Sequence, residues 1–140
     1  FNFLIIDSEQ IHATDKVVER VKKFKNENTN VFTELCSEEE RLITKALESM
    51  ENNDLKTIGK CMAQNQIFLE QIGVSNDELL SIIEEIEMIT FGAKITGAGD
   101  GGCVIALTEE GSDLSEYTNT TKYQTYHVSI QKTGMQVFNS

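Results

Sequence analysis

The 140-residue sequence contains no proline and no tryptophan, only 12 lysines and arginines against 23 carboxylates, and three scattered cysteines. The shortage of basic charge leaves a formal net charge of -11, a field that repels phosphate backbones and anionic headgroups. Roles on nucleic acid or at a membrane surface are therefore excluded as partners. An anionic substrate would have to be held by local donors, such as backbone amides or a few Lys and Arg, in a small enclosed site. Cys36, Cys61 and Cys103 form neither a C-x-x-C pair nor a cluster with His12 or His127. That spacing fits a reduced, intracellular setting, with Cys61 and Cys103 as small buried hydrophobes and no structural metal. No apolar run approaches the roughly 20 residues that span a bilayer, and no export signal opens the chain. The expectation is a cytoplasmic domain. The missing proline carries no mechanism of its own.

What is present suffices for one core. At 39% hydrophobic content, 140 residues remove roughly two-thirds of their unfolded surface from water. Phe1-Asn2-Phe3-Leu4-Ile5-Ile6-Asp7 already reads as a buried strand, with no initiating Met, so the sequence is expected to be part of a longer chain. From Asp15, Val17, Val18, Val21 and Phe24 recur at helical spacing. The polar run Asn26 to Asn30 predicts a loop, and Ser37 with Glu40 makes a capping-box pattern that starts a second helix near Glu38. Its stripe is Leu42, Ile43, Ala46, Leu47 and Met50. After Asn52-Asn53, a third helix carries Leu55, Ile58, Met62, Leu69 and Ile72.

Gly73 stands where a left-handed helix stop belongs, and Ser75 with Glu78 repeats the capping box before a fourth helix that runs to about Met88. Glu84, Glu85 and Glu87 read as its solvated face. Beyond Ala93 the pattern turns to strand, glycine loop, and the apolar Cys103-Val104-Ile105-Ala106-Leu107. A brief helix within Asp113 to Thr121, a strand over Tyr123 to Ile130 and a last strand at Met135 to Phe138 complete the reading. The fold class is α+β, with helices covering an antiparallel sheet in a single domain, 1–140.

The segment Thr96-Gly97-Ala98-Gly99-Asp100-Gly101-Gly102-Cys103 is the chemically informative one. Four glycines in the six residues from Gly97 to Gly102 open backbone conformations closed to other residues and expose several amides together, a natural cradle for phosphate oxygens. The plainer alternative is a tight strand-to-strand turn. Gly97, Gly99 and Gly102 fit G-x-G-x-x-G, but a strand follows where the dinucleotide fingerprint needs a helix, and Asn119 to Lys122 holds no acidic residue about twenty positions on. Gly97 and Gly102 have Walker A spacing, yet Cys103 and Val104 stand where Lys and Ser or Thr are required. Both phosphate loops are rejected.

Strand, glycine loop, strand remains. Lys94 to Leu107 closely resembles the third conserved motif of the GHMP kinases, and the cysteine after the glycines is most similar to the mevalonate kinases among them. Met62-Ala63-Gln64-Asn65-Gln66 and Leu69 to Ser75 resemble the helix and stop that precede this motif, while Leu4 to Ser8 and Thr14 are similar to the family's entry into the domain. The resemblance covers roughly residues 1 to 108. It implies the ferredoxin-like C-terminal domain of a GHMP kinase, with ATP and Mg2+ as cofactors of the complete enzyme and a mevalonate-like alcohol as phosphoryl acceptor. Carried over by position, Thr96, Gly97, Ala98, Gly99, Asp100, Gly101 and Gly102 line the nucleotide phosphates. Asp100 departs from the commoner all-glycine loop and is expected to point outward or brace it, with a contact to magnesium as the alternative. Lys94 is either a loop cation or a structural ion-pair partner.

The family's first motif, its Gly-Leu-Gly-Ser-Ser loop and its catalytic Asp and Lys belong to an N-terminal domain, the implied partner, and none of them is in this chain. No catalytic residue is therefore assigned, and the 140 residues are expected to turn over nothing alone. A second copy of the chain is kept as a candidate partner. The alternatives are another GHMP enzyme, such as a phosphomevalonate, homoserine or sugar kinase, and a non-enzymatic ligand-binding or dimerisation module.

Overall fold

A computed structural model describes residues 1–11 and 14–130, so His12 and the strand expected at Met135 to Phe138 lie outside the described residues. Four strands, β1 (Asn2–Asp7), β2 (Gly92–Ile95), β3 (Cys103–Thr108) and β4 (Gln124–Ser129), form one sheet in the order β2-β3-β1-β4. Every neighbouring pair is antiparallel. The helices are α1 (Thr14–Glu27), α2 (Thr29–Glu51), α3 (Leu55–Gln71), α4 (Asp77–Glu87) and the short α5 (Ser115–Thr120). This is the α+β, ferredoxin-like sheet with helical cover that the sequence predicts.

Strand alternation divides the core in two. Leu4, Ile6, Ala93, Ile95, Val104 and Ala106 face one side and pack with Val17 of α1 and Leu79, Ile82, Ile83 and Ile86 of α4. Ile82 and Ile86 are fully buried, each contributing roughly 2 kcal/mol by leaving water. On the opposite face, Phe3 and Leu107 meet Ile58, with Leu55 and Met62 of α3 beside them. Helix α3 reaches this position by running against the edge strand β2 at backbone distance. A Cβ on Gly59 would overlap the Phe91 carbonyl, and one on Gly92 would overlap the Gly59 carbonyl. The exposed amide of that edge is also covered from α3, because the buried Gln66 accepts from Ile95 N at 3.0 Å through Oε1.

The helical boundaries correct three expectations. The polar run Asn26 to Asn30 is not a loop: α1 ends at Glu27, only Asn28 leaves helical geometry, and α2 begins at Thr29. The Ser37–Glu40 capping box does not form, because α2 is already under way and Ser37 Oγ donates back to Thr33 O at 3.1 Å. The second box shifts by one residue. Asn76, not Ser75, caps α4 by accepting from Leu79 N at 2.9 Å, while Glu78 instead takes the Tyr123 hydroxyl and Lys122 Nζ. The α2 stripe also splits, since Leu42 and Ala46 are half-buried whereas Ile43, Leu47 and Met50 are exposed. No helix among the described residues is long and apolar enough to cross a membrane.

Candidate functional site

The loop from Thr96 to Gly102 joins β2 to β3 and is closed at its base by Thr96 N donating to Cys103 O at 2.9 Å. Five of its residues have positive φ: Gly97 (82°), Gly99 (84°), Asp100 (60°), Gly101 (148°) and Gly102 (79°). Ala98, which is not at positive φ, stands between Gly97 and Gly99, and such an alternation of hand is the kind that turns successive amides toward a common side as an anion nest. Among the described residues, the amides of Gly97, Ala98, Gly99 and Gly101 donate to no protein acceptor. Thr96 and Gly97 are exposed at the tip, and Ala98 is half-buried.

The glycines do different things. At Gly97 a Cβ would meet no atom within 4 Å, so only its backbone angle calls for glycine. At Gly99 a Cβ would overlap the Val74 carbonyl, so that glycine is a docking point. The next residue confirms the docking, as Asp100 N donates to Val74 O at 2.7 Å. Gly102 is held from the other side, donating to Gln10 O at 3.3 Å and accepting from Ser8 N at 2.9 Å. The structure thus brings Thr96, Gly97 and Ala98 together as an accessible tip and uses Gly99, Asp100 and Gly102 as its mounting.

Val74 belongs to the stop of α3. Gly73 takes φ 77°, Gly73 N donates to Glu70 O at 2.9 Å, and Val74 N to Leu69 O at 3.1 Å, as the position of Gly73 predicted. Asp100, expected to point outward or brace the loop, receives Arg20 Nη2 on Oδ2 at 3.0 Å. The same guanidinium donates to Gly73 O at 2.7 Å through Nη1. Gln66 closes a parallel link, donating to Ser75 Oγ at 3.3 Å while it holds Ile95 N. Arg20, Gln66 and Val74 are the site residues that sequence reasoning missed. For Gln66 a signal existed: it follows Ile58 and Met62 at four-residue spacing, a polar side chain set in an apolar stripe.

Lys94 does not serve the loop. Its Nζ donates to Ile95 O at 2.8 Å in a 160 Å³ pocket lined also by Glu39 and Asn65, and burial pushes its pKa down while Glu39 opposes the shift. Among the described residues Lys94 closes no ion pair, and the nearby Glu39 carboxylate accepts from Asn65 Nδ2 at 2.8 Å. Cys103, next to the loop, has its thiol pushed up by burial and by the Asp7 carboxylate, so it is not a thiolate nucleophile. Among the described residues, no group of three or more His, Cys, Asp or Glu is placed to hold a metal ion.

The family model described as GHMP kinases C terminal matches residues 45–117, just over half of the chain. The chain belongs to this family. A mevalonate kinase of Archaeoglobus fulgidus is 31% identical over 107 residues, covering 76% of this chain and 36% of that protein. A galactokinase of Clostridium acetobutylicum is 41% identical over 70 residues, covering 47% of this chain and 18% of that protein. Among solved structures, mevalonate kinase of L. major in complex with R-mevalonate superposes with a TM-score of 0.81 at 26% identity, over 91% of this chain and 42% of that one. The matched part of this GHMP kinase chain thus covers less than half of each of these relatives.

Proposed function

We propose that residues 1–140 are the C-terminal domain of a two-domain GHMP kinase, and that the complete protein transfers the γ-phosphoryl group of ATP to the hydroxyl of mevalonate, in the cytoplasm. The observation that carries this reading is the loop tip. Gly97 and Ala98 present amides with no protein acceptor among the described residues, and a Cβ at Gly97 would meet open space. ATP supplies the phosphoryl group. This chain supplies a rigid wall that positions the phosphates, which is the main demand of phosphoryl transfer. Thr96, Gly97, Ala98, Gly99, Gly101 and Gly102 shape that wall, and Asp100 braces it from outside. The catalytic groups are assigned, on the resemblance, to the N-terminal domain, and Mg2+ would enter with the nucleotide phosphates.

The choice of mevalonate rests on the Archaeoglobus and L. major proteins named above. The Clostridium galactokinase favours a second reading, in which the same wall serves a sugar. Presenting the complete protein with mevalonate, phosphomevalonate, homoserine and galactose in turn, and following ADP release, separates them. Turnover with mevalonate well above the others is expected; preference for galactose would replace the acceptor and leave the phosphate wall intact.

A further inference from the structure

Three successive residues of the α3 stop, Gly73, Val74 and Ser75, are each tied to the glycine loop or to the strand that enters it. Val74 O takes Asp100 N directly. Ser75 Oγ is joined through Gln66 to Ile95 N, one residue before the loop. Gly73 O is joined through the Arg20 guanidinium to the Asp100 carboxylate. The last link differs from the other two in chemistry. It sets a full positive charge on the one carboxylate that the loop carries, and it draws α1 into the mount.

We propose that Arg20 is a positioning residue for the nucleotide: by clamping Asp100 to the helix stop it fixes the loop and neutralises the carboxylate that would otherwise repel a triphosphate. The pair is partly exposed, with 44% and 32% of the two side chains accessible, and such pairs add little to overall stability. Its effect is local. Asp100 has φ 60°, so its backbone is held in a conformation that favours glycine, and the fork of Arg20 fixes it to the carbonyl of Gly73 at the same time. A lysine could keep the charge but could not span both acceptors with a planar fork. The inference rests on the kinase reading for its nucleotide and on geometry alone for its clamp.

The complete protein carries the test. Arg20→Gln is expected to raise KM for ATP about fivefold while KM for the alcohol acceptor moves less than about twofold, and Arg20→Lys recovers part of the loss. On an Asp100→Gly background the factor due to Arg20→Gln collapses toward one, because the carboxylate it served is gone. An equal factor on both backgrounds, or a parallel rise in both KM values, overturns the proposal. Amide hydrogen exchange over residues 96–102 of the same proteins keeps the two readings apart. A wild-type protein that transfers no phosphoryl group refutes the kinase reading, and the exchange still decides on the clamp. Faster exchange in the loop of Arg20→Gln, with β3 unchanged, supports it; unchanged exchange in the loop overturns it.

Discussion

At the scale of single residues, the glycines of one loop separate by what surrounds them. A side chain on Gly99 would strike the Val74 carbonyl at positive φ, so Gly99→Ala should displace the loop and cost more than about 2 kcal/mol of stability in urea unfolding. Gly97→Ala meets no atom and should cost only about 1 kcal/mol, the penalty of the left-handed backbone. The cysteines divide by burial in the same way. Cys36 is exposed, whereas burial pushes the thiols of Cys61 and Cys103 up and keeps them protonated. Iodoacetamide at neutral pH should therefore label Cys36 first by mass spectrometry, and early labelling of Cys103 would contradict the packing of β3 beside Asp7. The loop itself was legible because glycines are concentrated there and nowhere else. Arg20 was not, because its partners lie 53 and 80 residues away and meet it only through the sheet topology.

At the scale of elements, the contact of α3 with β2 makes a prediction that runs against intrinsic propensity. Alanine is a better helix former than glycine by about 1 kcal/mol, yet Gly59→Ala should destabilise by about 2 kcal/mol or more because the new methyl enters the Phe91 carbonyl. The denaturant midpoint of the variant decides the sign. The start of α3 makes a second prediction. The Thr57 hydroxyl and then the Thr57 amide hold the Asp54 carboxylate below its ordinary value of 3.8. A depressed carboxylate stabilises the fold fully above the unfolded value and loses that contribution as pH falls through the folded one. Melting temperature should therefore drop below about pH 4, and Asp54→Asn, which keeps a cap, should flatten that limb between pH 5 and pH 2.

Strands and most helices were legible from period and composition, and the misplaced boundaries share a cause. On α1 and α2, which are mostly exposed, polar residues line the solvent face of a helix as readily as they fill a loop, so Asn26 to Asn30 misled. At Ser37 and Ser75 the capping pattern was present, but a hydroxyl inside a helix satisfied itself one turn back, and Asn76 stood one residue nearer the helix than Ser75.

At the scale of the whole molecule, two surfaces keep apolar side chains in solvent. One is the outer edge of α2, with Ile43, Leu47 and Met50; the other is β4 and its exit, with Tyr126, Val128 and Ile130. Together with a match that covers less than half of its relatives, these surfaces support the proposed reading of the chain as one domain of a larger enzyme. The 140 residues produced alone should bind ATP weakly and turn over no mevalonate. Detectable phosphorylation by the pure fragment would contradict the assignment of the catalytic groups to another domain. The fold of this domain was readable because its sheet and cores obey simple alternation. The proposed division of labour between domains rests on the resemblance alone, since no residue of this chain points to it.

The most direct test compares two glycines of equal backbone cost. Gly97 and Gly111 have φ 82° and 78°, and a Cβ at either meets nothing within 4 Å, but only Gly97 lies in the loop. Measured in the complete protein, Gly97→Ala should raise KM for ATP about tenfold, because the added methyl stands in the open space of the loop tip and holds the phosphate back from the amides, an effect of the size of one hydrogen bond to a charged acceptor, while Gly111→Ala leaves it unchanged. Equal KM values for the two variants would contradict the claim that this loop forms the phosphate wall.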